Sequence, residues 1–478
     1  MQMLIDGAWV GASDGATDAI VDKASGGMID SVPRATVADV ARAVASAQAG
    51  KRAMAAMPAH QRASILVDVA EAIRRDRETL GTLLARENGK TLREIRGELD
   101  AAARIFRGYA EESKRLLGRA TPLDSVPGQE RSLAITLREP RGVIVAIVPF
   151  NYPIELWAHK VAAGLGAGNA VITKPPEECP LTIGAIAALI ESAGAPRGAH
   201  QVVTGPGATV GAALVRSAGV NMISMTGSTE AGRQILRDAA DGLKKVHLEL
   251  GGNDATIVCD DADPAVVADA LVRGRFTSGN GQICCAVKRV FVERSLHERL
   301  LEELSWRTRE LRLGHPLETT TDVGPLISEA AAVRVEEQLG QAVAEGARLV
   351  AGGKRQGVFF EPTLLADAGA ASAALQEEIF GPVLPLIPFD DFDQALAWAN
   401  ASPYGLQAAV FTHDLSRVMR AFKTLEVGTV VVNHTTAIRL ENLPFGGTKM
   451  SGNGREGLHE TLLEMTEERT LLMSDVFG

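Results

Sequence analysis

The sequence predicts an α/β protein built from two successive strand–helix series with a β arm between its helical N-terminal part and the first of them. Three observations carry this. Between Gly142 and about Gly252 short apolar runs alternate with helical stretches, the rhythm of a doubly wound parallel sheet, and from Asn253 a second series begins. The chain of 478 residues leaves room for two or three domains at about 100–200 residues each. Its 46% hydrophobic content includes only 4% aromatics beside 48 glycines, so the core must rest on Val, Leu, Ile and Ala joined by many tight turns.

Residues 36–117 read as helical. Thr36 with Asp39 has the form of a capping box, and Val37, Val40, Ala41 and Val44 follow at helical spacing. Ile65, Leu66, Val69 and Ile73 mark a second apolar stripe, and Ile95, Leu99, Ala102, Phe106 and Tyr109 a third. From Thr121 the pattern changes to Pro and Gly turns, then to the partly alternating Ser132 to Arg138, expected as an exposed strand or arm that pairs with another subunit. The strands expected next are Val143 to Val148, Ala170 to Thr173, Gln201 to Thr204, Met222 to Met225 and Val246 to Leu250. Thr256 to Val258 and Arg289 to Val292 follow beyond a boundary near 252, and then a long helical stretch through Leu311.

The formal net charge of −10 argues against nucleic acid as a partner. Composition excludes disorder and collagen-like structure, and no apolar run approaches the roughly 18–20 residues that span a bilayer. Met1 to Gly7 lacks the basic and apolar regions of a secretory signal, so the cytoplasm is the expected compartment. The cysteines, Cys179, Cys259, Cys284 and Cys285, form neither a disulfide framework nor a CxxC metal pair, and no metal is expected.

Several stretches could carry chemistry. Gly205, Gly207 and Gly211 stand where a strand would turn into a helix, in a GxGxxxG spacing one residue longer than the dinucleotide fingerprint; they are equally those of an ordinary turn. Thr226 to Gly232 repeats the arrangement, with hydroxyls able to reach phosphate oxygens. Lys174 and Glu177 offer a cation and a carboxylate suited to ribose hydroxyls, or form a solvated loop pair. Cys284 and Cys285 follow a glycine-rich loop and are either a reactive thiol and its neighbour or small core filler. Glu249, at the end of an apolar strand, is a candidate base whose pKa burial would raise, or else a paired structural carboxylate.

Taken together these stretches resemble the aldehyde dehydrogenase family. The motifs are Pro149-Phe150-Asn151-Tyr152-Pro153, Thr173-Lys174-Pro175-Pro176-Glu177, Thr226-Gly227-Ser228-Thr229, Leu248-Glu249-Leu250-Gly251-Gly252, Gly281-Gln282-Ile283-Cys284, Glu377-Glu378-Ile379-Phe380-Gly381-Pro382, and Pro444 to Lys449 with Gly454-Arg455-Glu456. They occur in the family's order. The resemblance implies an α/β fold with a Rossmann-like cofactor domain (1–120 and 142–251), an α/β catalytic domain (252–450), and an oligomerisation arm with the C-terminal tail (121–141 and 451–478). A homodimer or homotetramer follows from the arm.

The implied reaction is NAD-dependent oxidation of an aldehyde to its carboxylic acid. Cys284, rather than Cys285, attacks the aldehyde; Asn151 donates to the oxyanion; the thiohemiacetal passes hydride to the nicotinamide; and Glu249 activates water to hydrolyse the thioester. Lys160 and Glu456 match positions that relay protons, or form a structural salt bridge. Lys174 and Glu177 match the adenosine-ribose positions, Gly227 and Ser228 lie toward the pyrophosphate, Glu378 and Phe380 lie toward the nicotinamide, and Phe150 and Gly207 are further cofactor-binding positions. A carboxylate at 177 would repel a 2′-phosphate, so NAD is expected over NADP, with NADP still open.

Phe150 and Asn253 stand where the family often has Trp and Lys. His159 occupies a tunnel-lining position, and Arg439 and Phe445 lie near the tunnel mouth in relatives. Arg439 could anchor an anionic substrate tail, or pair with Glu441 or another carboxylate. The spacing there looks like relatives acting on lactaldehyde, phosphonoacetaldehyde or aromatic aldehydes. The competing readings are a cofactor-independent Cys hydrolase, for which the Cys284 motif lacks a paired His, and a non-catalytic binding protein.

Overall fold

The computed structural model describes residues 1–369 and 372–476. The first strand series forms one seven-stranded sheet, in the order Lys245–Glu249, Met222–Thr226, Val143–Ile147, Ala170–Lys174, His200–Val202, Met3–Ile5 and Ala8–Val10. The first five strands run parallel. Met3–Ile5 joins antiparallel and ends that edge in a hairpin. Ala170–Lys174 and Met222–Thr226 are buried throughout, as parallel strands covered on both faces must be.

Strand alternation sorts the side chains into two cores. Val143, Val145 and Ile172 pack with Val40, Ala43 and Ala47 of helix Val37–Ala56. Ile144, Ala146 and Val171 face the opposite way, into a larger core formed with helices Ala59–Arg75, Leu92–Glu112 and Pro153–Gly166. The capping box read at Thr36 and Asp39 is present, and a second, at Thr91 and Glu94, opens helix Leu92–Glu112. Hairpin Thr17–Val21/Met28–Pro33 was not expected from the sequence. The strand expected over Gln201 to Thr204 is paired over His200–Val202, because Gly205, at φ +134°, turns the chain out of the sheet.

The second sheet runs Arg348–Ala351, Thr363–Ala366, Val383–Phe389, Arg289–Glu293, Ala255–Val258, Gln407–Phe411 and Thr429–Val432. All but the first are parallel. Apart from both sheets, Thr466–Met473 pairs antiparallel along Leu133–Pro140, which in turn pairs with Ala120–Pro122. This three-stranded arm leaves Leu137, Leu471 and Leu472 exposed. No helix among the described residues is long and apolar enough to cross a membrane.

Candidate active site

Parallel pairing brings motifs that lie a hundred residues apart in sequence to one edge. Lys174 aligns with Ile147, Ile147 with Met225, and Thr226 with Glu249, so all of them stand at the carboxyl ends of neighbouring strands. In an open α/β sheet this edge is where ligands bind. The chain beyond Ile147 supplies Phe150 and Asn151, and the chain beyond Thr226 supplies Gly227 and Ser228. Ser228 caps helix Thr229–Ala240, its Oγ accepting from Ala231 N at 3.2 Å.

A cavity of about 600 Å³ opens over this edge, closed on the other side by helix Glu329–Ala344 of the second sheet's layer. Lys174, Glu177 and Ser228 line one part of it, and Asn151, Cys284, Glu378 and Phe380 also line it. Lys174 is buried, its Nζ 3.5 Å from Glu177 Oε1; burial pulls its pKa down, and Glu177 and Glu178 oppose that. The Glu177 carboxylate is half-exposed and accepts from Gly207 N at 2.8 Å, which ties the glycine turn to the cavity rim. Phe150 and Phe380 meet edge to face with centroids 6.0 Å apart.

The two vicinal thiols differ sharply in setting. Cys284 is partly exposed on the cavity wall, whereas Cys285 is buried. The adjoining Cys284 thiol and burial together hold the Cys285 thiol well above its ordinary range. The loop before them needs left-handed backbone at three successive residues, Gly279 (φ +58°), Asn280 (+53°) and Gly281 (+75°). A Cβ on Gly281 would stand 2.5 Å from the Gly381 backbone, so the loop lies directly on the Glu378 segment. Lys288 Nζ reaches both the Cys284 carbonyl and, at 2.8 Å, Glu378 Oε1.

Glu249 is buried and does not line the cavity; its Oε1 lies toward Gly446 and His247, and burial raises its pKa. Lys160 is equally buried and bonds Thr226 Oγ1 at 2.7 Å and Glu456 Oε2 at 2.9 Å. Glu456 also pairs with Arg439, whose Nε lies 3.6 Å from Glu155. Burial alone would push Glu456 up, but Lys160 and Arg439 hold it well below the carboxylate range. Arg439 is therefore held by Glu456 and Glu155; Glu441 pairs instead with Arg104. The guanidinium stacks 4.5 Å above the Phe445 ring, and Phe445 packs with Ile283 and Cys284. His159 is buried, its Nδ1 3.1 Å from Tyr109 Oη, and burial pushes its pKa down to about 3, so the ring is neutral.

Three comparisons bear on this geometry. The family model described as "Aldehyde dehydrogenase family" matches residues 9–471. The chain belongs to the aldehyde dehydrogenase family. It is 41% identical over 440 residues to a 3-sulfolactaldehyde dehydrogenase of Priestia megaterium, covering 92% of this chain and 91% of that one. It is 38% identical to the NADP-dependent succinate-semialdehyde dehydrogenase of Escherichia coli, covering 95% and 94%. The crystal structure of an NADP-dependent glyceraldehyde-3-phosphate dehydrogenase from Bacillus halodurans, complexed with NADP, superimposes with a TM-score of 0.96 at 38% identity over 99% of both chains. The chain is thus an aldehyde dehydrogenase, an NAD(P)-dependent oxidoreductase that converts an aldehyde to its acid.

The residues around the cavity fit a dinucleotide: a paired cation and carboxylate on its rim, a capped helix N-terminus, and glycines where a side chain would intrude. A Cβ on Gly251 would stand 2.4 Å from Glu378 Oε2. Sequence reading missed Lys288 and His247 as members of the site, and aimed the Thr226 hydroxyl at phosphate where the structure gives it to Lys160. Lys288 and His247 do lie within four residues of a motif Cys or Glu, which was the only local signal. Glu155, reached through Arg439, gave none.

Proposed function

We propose that this dehydrogenase acts through Cys284, with Asn151 as oxyanion donor and Glu249 as the base that hydrolyses the thioester. The observation that carries the reading is the single cavity of about 600 Å³ lined by Cys284 and Asn151 as well as by Lys174, Glu177 and Ser228. It joins a nucleophile to a dinucleotide cradle. Partial exposure of Cys284 against burial of Cys285 supports the choice of thiol. Asn151 Oδ1 accepts from Tyr152 N at 2.9 Å, which leaves its Nδ2 as the donor for substrate oxygen.

In this mechanism the Cys284 sulfur bonds to the aldehyde carbon, and the oxygen gathers negative charge against Asn151 and the Cys284 backbone N–H. NAD(P), held by the cavity residues, would supply the hydride acceptor, and loss of hydride would leave the acyl carbon on Cys284 as a thioester. Glu249 then swings toward the cavity, takes a proton from water as the water oxygen bonds to the acyl carbon, and the C–S bond breaks to release acid and thiolate. Lys160 and Glu456 hold the strand end beneath this step and offer a route for the proton. Lys174 and Glu177 hold the adenosine ribose, Gly207, Gly227 and Ser228 adjoin the pyrophosphate, and Phe150, Glu378 and Phe380 frame the nicotinamide. We infer a preference for NAD, because the second Glu177 oxygen would repel a 2′-phosphate.

His159, Phe445 and Arg439 form the substrate side. The neutral His159 and the doubly paired Arg439 suit a short polar aldehyde, and the names of the relatives add sulfonated and carboxylated aldehydes to the candidates. Residues 1–120 and 142–251 serve as the cofactor domain, 252–450 as the catalytic domain, and 121–141 with 451–478 as the arm and tail. Exposed Leu137, Leu471 and Leu472 on the arm support pairing with a second copy, as a dimer or tetramer. Four unpaired cysteines favour action in the reducing cytoplasm.

The test is NADH formation by the purified protein across short neutral, aromatic, carboxylated, sulfonated and phosphonylated aldehydes, with Cys284→Ala as the control. Turnover of one class, lost in Cys284→Ala and kept in Cys285→Ala, is the expected result. Turnover that survives Cys284→Ala would overturn the assignment.

A further inference from the structure

His247 is a buried imidazole that makes no hydrogen bond through either ring nitrogen, and both oxygens of Glu249 are likewise unpaired. Buried polar groups are normally paired, so two orphans together call for an explanation. The side chains leave strand Lys245–Glu249 two residues apart and so lie on the same face. His247 Nε2 is 3.6 Å from Glu249 Oε1, just beyond hydrogen-bond reach. Glycines wall the pair in. A Cβ on Gly454 would stand 1.7 Å from His247 Cδ2, and one on Gly446 2.7 Å from Glu249 Oε1. Of the two groups, the carboxylate has the rotatable side chain that can close the gap.

We propose that His247 is a positioning residue for Glu249: its ring N–H latches the carboxylate in a withdrawn pose beside Gly446, off the Cys284 cavity, until the thioester has formed. This rests on the reading of Glu249 as the hydrolytic base. The latch leaves the cavity clear during hydride transfer and offsets part of the rise that burial imposes on the Glu249 pKa. The other charged groups facing the pair are Glu456 and Arg439, with Lys160 behind Glu456 and the Arg455 side chain over Gly446. Glu456 opposes ionisation of Glu249 and Arg439 favours it, which leaves His247, 3.6 Å away, as the donor that a small rotation of the Glu249 side chain would bring into hydrogen-bond range. A donor to the carboxylate lowers its pKa, so losing it must move the onset of base catalysis to higher pH.

The experiment uses p-nitrophenyl acetate, which needs neither cofactor nor the natural aldehyde. The Cys284 sulfur displaces p-nitrophenolate and forms an acetyl thioester. Water then adds to the acyl carbon, one of its protons passes to Glu249, and the C–S bond breaks to release acetic acid and the Cys284 thiolate. Decay of the isolated acetyl-enzyme is followed by mass spectrometry across pH. For His247→Ala the acid limb of the decay rate should move up by about one pH unit, ~10-fold slower hydrolysis below the limb, with an unchanged p-nitrophenolate burst. His247→Gln, which keeps an amide N–H in the same reach, should bring the limb back. A limb unmoved in His247→Ala would overturn the proposal. So would equal slowing of both variants at every pH, since that marks a packing role. If the unchanged protein forms no acetyl-enzyme, the Cys284 assignment falls and the latch with it, at a step distinct from decay.

Discussion

Replacing Arg439 with Met separates a structural cation from a substrate anchor. Arg439 is 13% exposed and holds two carboxylates, Glu456 and Glu155. Breaking a buried ion pair by removing one partner costs about 3–5 kcal/mol, because a charge is left uncompensated. Two features of the site bring the figure to the lower end. Glu456 keeps Lys160 at 2.9 Å, and Glu155, already raised by burial despite Arg439, can shed its charge by protonation. The expected loss is therefore about 3 kcal/mol, a fall in Tm of roughly 6–12 °C for a cooperative unit of 150–250 residues. Differential scanning calorimetry measures it, beside kcat/KM for a matched anionic and neutral aldehyde. Both aldehydes should suffer alike. If Arg439 instead binds a substrate anion, the anionic aldehyde alone loses a charge-assisted bond of about 1.5–3 kcal/mol, ~10- to 150-fold in kcat/KM. That selective loss with an unchanged Tm would refute the reasoning.

Asn151→Ala should lower kcat by about 10²–10³-fold, the usual loss for one oxyanion donor, while leaving iodoacetamide alkylation of Cys284 intact; an undiminished kcat would remove Asn151 from that role. Glu177→Gln should raise kcat/KM with NADP relative to NAD by at least about tenfold, since one repelled phosphate charge near a half-exposed carboxylate is worth on the order of 1.4 kcal/mol. An unchanged cofactor ratio counts against the carboxylate as the discriminating group. Because burial raises the Glu249 pKa, and the ionised form is the base, thioester hydrolysis should fall as pH drops through a limb above the ordinary carboxylate range. The measurement is acyl-enzyme decay against pH, and a rate flat down to the ordinary range would contradict it.

The fold was legible where local physics dictates it. Ala170–Lys174 reads as a buried parallel strand because it is short, apolar and β-branched, and helix Leu92–Glu112 because Ile95, Leu99, Ala102, Phe106 and Tyr109 repeat at helical spacing. Hairpin Thr17–Val21/Met28–Pro33 was not, because its burial alternates weakly and Gly and Asp residues interrupt it. The motif residues were readable as chemistry, and so were the pairs Lys160–Glu456 and Lys174–Glu177, but the other partners that set their chemistry were not. Nothing near Arg439 in sequence points to Glu155, which it meets across the fold, and the carboxylate next in sequence, Glu441, takes Arg104 instead. Ion pairing of this kind is decided by packing, which spacing along the chain does not encode.

The same division explains how the nucleophile is held. The cofactor edge is fixed by strand register, so Lys174, Thr226 and Glu249 follow from the sheet itself. Cys284 has no strand to hold it, and it follows a loop with three left-handed residues, one of them a non-glycine. That backbone persists because other segments fix it. Asn280 Nδ2 donates to Pro325 O and Gly324 N donates to Asn280 Oδ1, each at 2.9 Å. Gln282 Oε1 accepts from Ile327 N at 3.1 Å, Gly279 N donates to Glu94, and Lys288 holds the Cys284 carbonyl. Glu94 belongs to the capping box of helix Leu92–Glu112, and Lys288 also holds Glu378. The loop is thereby pinned at one end to the helical layer of the first sheet and at the other to the segment that faces the cofactor cavity. A nucleophile mounted this way keeps its distance to the cradle only while both attachments hold, and that is why the glycine-rich stretch before Cys284 is a rigid mount even though its composition is that of a flexible linker.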